Sequence, residues 1–246
     1  MILEIRNLCK SFGGLSAVHG INFDMNQGEV SSIIGTNGAG KTTLFNIITG
    51  KIKPDEGKVL FKGHNITKMP PHQICHRKIG RSFQITNIFP ELSVYENIQV
   101  AILSTLGKSR NLFSRSQKIA REETMEVLKS LGIEEKKDAT AGLLSHGDQK
   151  RLDIGIALAS RPNLLLLDEP TAGMSPEETK GTTDLIERLA KEWNLTVLLI
   201  EHDMQVVFRI SEIIRVMHQG GLIAEGKPDE IRRNEDVQRI YLGEHK

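Results

Sequence analysis

Apolar and polar positions along this chain change their period more than once, and each change marks a different kind of element. The N-terminal part alternates: "ILEI" from Ile2, "INFDM" from Ile21 and "EVSSII" from Glu29 have the pattern of strands. From Lys41, "KTTLFNIITG" puts Leu44, Ile47 and Ile48 on one helical face, and Gly50 stands where a helix stops. "GKVLFKGHNI" from Gly57 returns to a strand and a turn. Between about Ser93 and Ser160 the helical period dominates ("YENIQVAIL", "EETMEVLKSLGI", "KRLDIGIALAS") and strand signal nearly vanishes. This predicts a helical lobe inserted between strands of a sheet. Alternation of elements then resumes: the apolar run "NLLLLDEP", a helix from Pro176 to about Glu192, the strand "LTVLLIE", a helix from Asp203 and the strand "EIIRVMH". Continuous apolar strands separated by helices predict an α/β fold with a parallel sheet covered on both faces. The helix at Pro176 has start chemistry, with Ser175 as N-cap, proline in the first turn and Glu178 three residues after the serine.

Composition narrows the possibilities. The 246 residues, 39% hydrophobic, suffice for one large domain or a core with an appended lobe. Lys and Arg total 32 against 31 Asp and Glu, a net charge of +1, so no polyanionic partner is expected and nucleic acid is disfavoured. No segment approaches the roughly 18 consecutive apolar residues that span a bilayer. Glu4 and Arg6 interrupt the start, where a signal peptide needs an apolar run. The expectation is a soluble cytoplasmic chain, able to dock on a membrane protein. Cys9 and Cys75 are far apart and form no CxxC pair, which suggests neither a disulfide framework nor a zinc site. Residues 107–121 carry Lys108, Arg110, Arg115, Lys118 and Arg121 and no acidic side chain. That stretch reads either as a solvated loop and helix face or as a contact for anionic lipid or an acidic partner.

Chemistry concentrates after three strands. "GTNGAGKTT", comprising Gly35, Thr36, Asn37, Gly38, Ala39, Gly40, Lys41, Thr42 and Thr43, matches G-x-x-x-x-G-K-[ST] between a strand and a helix. Glycines let the backbone curl so that successive N–H groups point at phosphate oxygens, aided by the positive end of the helix dipole. Lys41 can reach the β- and γ-phosphates and the Thr42 hydroxyl can ligate Mg²⁺. "LLLLDEP" supplies Asp168 to hold Mg²⁺ through its water and Glu169 beside the path of an attacking water. "LLIEHD" ends a later strand in the same way and offers His202, a functional group or an ordinary loop histidine on pattern alone.

"LSHGDQKRLDI" from Leu144 raises a different question, because serine, histidine and aspartate fall within four positions. A hydrolytic triad is disfavoured, since neighbours on one turn seldom align and no G-x-S-x-G elbow surrounds Ser145. Ser145 with Asp148 three positions later fits a helix cap, with Leu152 and Ile156 beginning the buried face.

These pieces, in this order, resemble the ATP-binding subunit of ABC transporters over essentially the whole chain. The phosphate loop is similar to Walker A, "LLLLDEP" to Walker B, and "LSHGDQ" stands where that family carries "LSGGQ". The resemblance implies a P-loop NTPase (RecA-like) core with a mostly parallel sheet and an N-terminal antiparallel β subdomain. These occupy 1–90 and 162–246, and a helical subdomain with the signature occupies 91–161, all within a single domain of 1–246. It further implies ATP and Mg²⁺ as ligands, Phe12 as the aromatic stacked on adenine, and Gln84 as the glutamine that senses Mg²⁺ and the γ-phosphate. Glu169 becomes the catalytic base, His202 a switch contacting the γ-phosphate, and Ser145, Gly147 and Asp148 the site for ATP held by the opposite subunit. Its implied partners are a second ATP-binding subunit, transmembrane permease subunits and, indirectly, a solute-binding protein, placing the chain peripherally on the cytoplasmic face of the cell membrane.

"FGGLSAV", "DEPTAGMSPEET", "EHDMQVVF" and the tail "AEGKPDEIRRNEDVQRIYLG" look most like the branched-chain amino-acid uptake group, which the urea and short-chain amide importers closely resemble. Two positions depart from the family pattern: His146 replaces a signature glycine, and Ser175 stands where many relatives have the D-loop aspartate. Members acting in DNA repair or translation usually have long inserts or two ATP-binding halves, which this chain lacks. A metabolic kinase would leave "LSHGDQ" and the Gln84 region without a role.

Overall fold

The computed structural model describes residues 1–82, 88–105 and 115–242. Two sheets organise them. The first is antiparallel, in the order β2 (Leu15–Met25), β1 (Leu3–Phe12), β4 (Glu56–Phe61), β5 (His64–Asn65). The second has six strands in the order β10 (Gly221–Gly226), β9 (Ile213–His218), β3 (Val30–Gly35), β8 (Thr196–Ile200), β7 (Leu164–Asp168), β6 (Ile79–Arg81). All its pairings are parallel except β9 with β10. The helices are α1 (Lys41–Ile48), α2 (Pro71–His76), α3 (Val94–Thr105), α4 (Arg115–Leu131), α5 (His146–Leu158), α6 (Pro176–Glu192), α7 (Met204–Ile210), α8 (Pro228–Arg233) and α9 (Glu235–Leu242).

The four leucines of β7 show why this strand reads as continuously apolar. Leu165 and Leu167 enter the core shared with α3, α4, α5 and α6, whereas Leu164 and Leu166 enter the core beneath α1 and the antiparallel sheet. Val197 and Leu199 of β8 follow the first set, Leu198 and Ile200 the second. Both faces of the sheet are therefore covered, as expected for parallel strands. The helical lobe closes around Val94, Ile98, Ile102, Val127, Leu128, Leu131, Leu152 and Ile154. Gly155 permits that closure, because a Cβ there would lie 2.4 Å from Leu131 Cδ1. Between 91 and 161 the described residues pair in β fashion only through an isolated bridge, Ser93 with Thr140. A third core, from Ile34, Val207, Ile214 and Val216, seats the C-terminal helices through Ile231 and Val237.

Several elements differ from the sequence pattern. "ILEI" and "INFDM" are parts of one long hairpin, because residues 6–12 and 15–20 continue the pairing through register shifts that break the alternation. The three-residue β6 and the six-residue α2 are too short to show a period.

Arg215 fastens the two sheets together. It is 1% exposed and donates to Ser31 Oγ at 2.8 Å, to the Asp24 carbonyl at 2.5 Å and to Glu29 at 3.3 Å, pairs with Glu225 at 2.8 Å, and lies over the Phe23 ring. Exposed pairs such as Arg239 with Asp236 contribute about 0–1 kcal/mol, but removing one member of a buried pair leaves an uncompensated charge. Arg215→Ala is therefore expected to cost about 3–5 kcal/mol in urea unfolding, against less than about 1 kcal/mol for Arg239→Ala. Equal small losses for both would contradict this role.

Candidate functional site

Strands β3, β8 and β7 end level with one another: Ile33 pairs with Ile200, and Asp168 pairs with Ile200 from the other side. The loops that follow consequently emerge at one sheet edge, where α/β folds bind ligands.

After β3 the chain turns through Gly35–Gly40 into α1. Gly40 is left-handed at φ 99°, and a Cβ on it would lie 2.1 Å from the Ala17 carbonyl oxygen. A Cβ on Gly35 would lie 2.3 Å from the Met217 carbonyl oxygen. Close backbone approach thus requires both glycines, and the left-handed backbone at Gly40 requires that one a second time. Asn37 and Gly38 are exposed, Thr36 and Thr43 partly so, and Ala39 is buried, while Thr42 presents its side chain to solvent at the start of α1. Lys41 is buried and folds back on the loop, its Nζ donating to the Gly35 carbonyl at 2.7 Å and to the Thr36 carbonyl at 3.1 Å. Burial lowers its pKa below the usual lysine value, and the charges of Glu169 and Asp168 oppose that shift. The ammonium therefore stands in the field of both carboxylates. Phe12, 47% exposed, ends β1 opposite Leu15, so the hairpin tip carries it near the point where Ala17 touches the loop.

Asp168 is 1% exposed. Its Oδ2 accepts from Arg81 Nη2 at 2.8 Å, and its Oδ1 is buried without a hydrogen-bond partner. Arg81 also donates to Asn46 at 2.7 Å and to Thr49 at 3.2 Å, both at the far end of α1. Glu169 departs from the strand at φ +48°, a left-handed backbone rare for a residue with a side chain. Its N–H donates to the Ile200 carbonyl at 2.9 Å, and its Oε1 lies 3.0 Å from His202 Nε2. The structure thus brings Lys41, Asp168, Glu169 and His202 to one edge.

Ser145, Gly147 and Asp148 are held elsewhere. Ser145 caps α5, accepting from the Asp148 N–H at 3.2 Å and donating to its carboxylate at 3.0 Å; Asp148 pairs with Lys136. Gly147 packs against Glu178, whose Oε1 would be 3.1 Å from a Cβ at that glycine. Glu178 completes a capping box with Ser175, and the N–H and hydroxyl of Ser175 hold its carboxyl below the usual value. The exposed His146 reaches toward Gly173. Leu152 is fully buried but Ile156 only partly. Among the described residues, no hydrogen bond or ion pair joins 145–148 to the Gly35–Thr43 loop. Gln84 lies outside the described residues, as does most of the basic stretch 107–121.

Two residues of this edge escaped the sequence pattern. Arg81 sits on a strand too short to read, and Glu201 sits immediately after β8, its carboxylate accepting from Thr171 and from the His202 N–H. A charged residue prolonging the apolar run "TVLLI" was the available signal for Glu201.

A glycine loop between strand and helix, with two carboxylates and a histidine at adjacent strand ends, defines a nucleotide-binding P-loop domain. Comparison with known proteins narrows that class: residues 18–172 match the ABC transporter family model, and residues 222–246 match the branched-chain amino acid ATP-binding cassette transporter model. The high-affinity branched-chain amino acid transport ATP-binding protein BraF of Pseudomonas aeruginosa is 42% identical over 251 residues, 99% of this chain and 98% of that protein. A solved ATP-binding cassette of an ABC transporter in its ADP conformation is 33% identical with a TM-score of 0.87, covering 99% of both chains. A dimeric cassette bound to ADP and Pi in a post-hydrolysis state is 29% identical with a TM-score of 0.79, covering 92% of this chain and 99% of that one. The chain belongs to the ABC transporter ATP-binding family and is an ATPase.

Proposed function

We propose that this chain is the ATP-hydrolysing subunit of an importer for branched-chain amino acids, working as a dimer on the cytoplasmic face of the membrane. Residues 1–90 and 162–246 form the nucleotide-binding core, and 91–161 the lobe that carries Ser145. The observation that carries the reading is the 3.0 Å contact between Glu169 and His202 at the edge shared with Lys41, with Ser145 and Gly147 turned to other partners in the same chain. One chain holds half of a site, and the capped start of α5 supplies the other half to a second chain. The dimeric cassette with ADP and Pi supports this arrangement. The names of the relatives and the match at 222–246 support the solute class.

In hydrolysis, Lys41 exchanges its loop carbonyls for β- and γ-phosphate oxygens, and the adenine rests on Phe12. Glu169 takes a proton from water as the water oxygen bonds to the γ-phosphorus; the bond from that phosphorus to the β,γ-bridging oxygen breaks, leaving ADP and phosphate. His202 steadies the Glu169 carboxylate and contacts the γ-phosphate. The unpartnered Oδ1 of Asp168 and the exposed Thr42 hydroxyl fit Mg²⁺, an oxygen-seeking ion that keeps several waters. Mg²⁺ bound there would neutralise the phosphate charge, and Gln84, by the family resemblance, would be a further ligand. Glu169→Gln keeps the side-chain shape but removes the base. It is expected to bind ATP like the parent while hydrolysing it at least about a hundredfold more slowly; turnover near that of the parent would refute the assignment.

The permease has a place to dock. A groove of about 500 Å³ runs between α2 and β6 on one side and α3 and α5 on the other, lined by Ile74, Cys75, Ile79, Ala101 and Ile156. A helix of the permease filling this groove would tie its movement to the nucleotide edge, and a solute-binding protein acts through that permease. In a Cys9→Ser variant, maleimide labelling of Cys75 is expected to fall on assembly with the permease. Unchanged labelling in the assembled transporter would place the contact elsewhere.

A further inference from the structure

Glu201 is 3% exposed and divides its carboxylate between two catalytic loops. Oε1 accepts from the Thr171 N–H at 3.0 Å and the Thr171 hydroxyl at 2.5 Å. Oε2 accepts from the His202 N–H at 2.8 Å and the Asp203 N–H at 3.4 Å. Thr171 follows Glu169 by two residues, and Asp203 in turn caps α7 by accepting from the Gln205 N–H at 2.8 Å. With Glu169 and His202 in contact at 3.0 Å, these links close a ring that passes through both loops.

The residue type suits this task. A buried carboxylate is costly unless its oxygens are occupied, and here each oxygen takes two donors. A hydroxyl has one oxygen and would hold one loop. A glutamine would turn an NH₂ group toward N–H donors on one side. The backbone at Glu169 is in the left-handed region at φ +48°, so the loop needs an external tie to keep that carboxylate in place.

We propose that Glu201 is a positioning residue for hydrolysis, tying the loop of Glu169 to the loop of His202 so that the two side chains meet in one fixed geometry. The inference rests on the reading of Glu169 as base and His202 as its partner. Among the described residues Glu201 makes no hydrogen bond to the Gly35–Thr43 loop, and it holds His202 by the backbone N–H and not by the imidazole assigned to the γ-phosphate, so its loss is expected to fall on turnover with nucleotide affinity little changed.

The test measures kcat and the ATP dissociation constant for the full chain carrying Glu201→Gln, Thr171→Val, Thr171→Ser or Glu169→Gln. Glu201→Gln is expected to lower kcat about tenfold or more while the ATP dissociation constant stays within about twofold. Thr171→Val, which keeps the shape and removes the hydroxyl, lowers kcat in the same direction. Thr171→Ser, which restores the hydroxyl, recovers most of the loss. Equal kcat values for the valine and serine variants would overturn the proposal, as would a fall in kcat matched by an equal loss of ATP affinity. If Glu201→Gln does not fold, the Thr171 pair decides. Glu169→Gln separates the two levels. Parent-like turnover there removes the base assignment, whereas slow turnover there beside unaffected Glu201 and Thr171 variants refutes the tie alone.

Discussion

Parallel pairing of β3, β8 and β7 is the constraint on which the site depends. Because Ile33, Ile200 and Asp168 stand in register, everything that follows these residues emerges at a single edge. The apolar side chains on both faces of the strands hold that register, since a one-residue slip would exchange the faces of Leu164–Leu167 and Val197–Ile200. Buried polar ties then refine the edge. Arg81 neutralises Asp168, Glu201 joins two loops, and Lys41 is kept desolvated between its own loop and the carboxylates. Each tie satisfies a group that would otherwise be costly to bury, so stability and alignment of the site rest on the same bonds.

A second set of contacts lies at the helix starts. The first turns of α5 and α6 meet where Gly147 packs on Glu178, and Glu178 is held by Ser175. Ser175, the departure from the family pattern, therefore has a local duty as a helix cap. His146 is accommodated because its side chain points away toward Gly173 and leaves Gly147 buried. The cap leaves Ser145 exposed at the positive end of a 13-residue helix, a place suited to an anion brought by another chain.

Much of this was legible in the sequence because it depends on local rules. The phosphate loop needs glycines at fixed spacing, the four leucines before Asp168 demand burial on both faces, and Ser175, Pro176 and Glu178 start a helix by short-range hydrogen bonds. Ser145, His146 and Asp148 could be separated from a hydrolytic triad for the same reason, and the structure shows Ser145 capping α5. What stayed hidden is non-local. Arg81 meets Asp168 across 87 positions and Glu201 meets Thr171 across 30, and nothing in a linear pattern marks such a pairing. The full length of the β1–β2 hairpin is hidden in the sequence because its register shifts destroy the alternation on which strand recognition relies. The helices α8 and α9 depend on a small core borrowed from β3, β9 and α7, which sequence distance conceals.

We propose that each chain carries two half-sites and that neither works until a second chain arrives. The most direct test is the ATPase rate per chain of the isolated subunit, measured across a wide range of protein concentration. The rate per chain is expected to rise with concentration and to level off once dimers dominate. A rate per chain that stays constant down to high dilution, with the protein shown to be monomeric at that dilution, would contradict it.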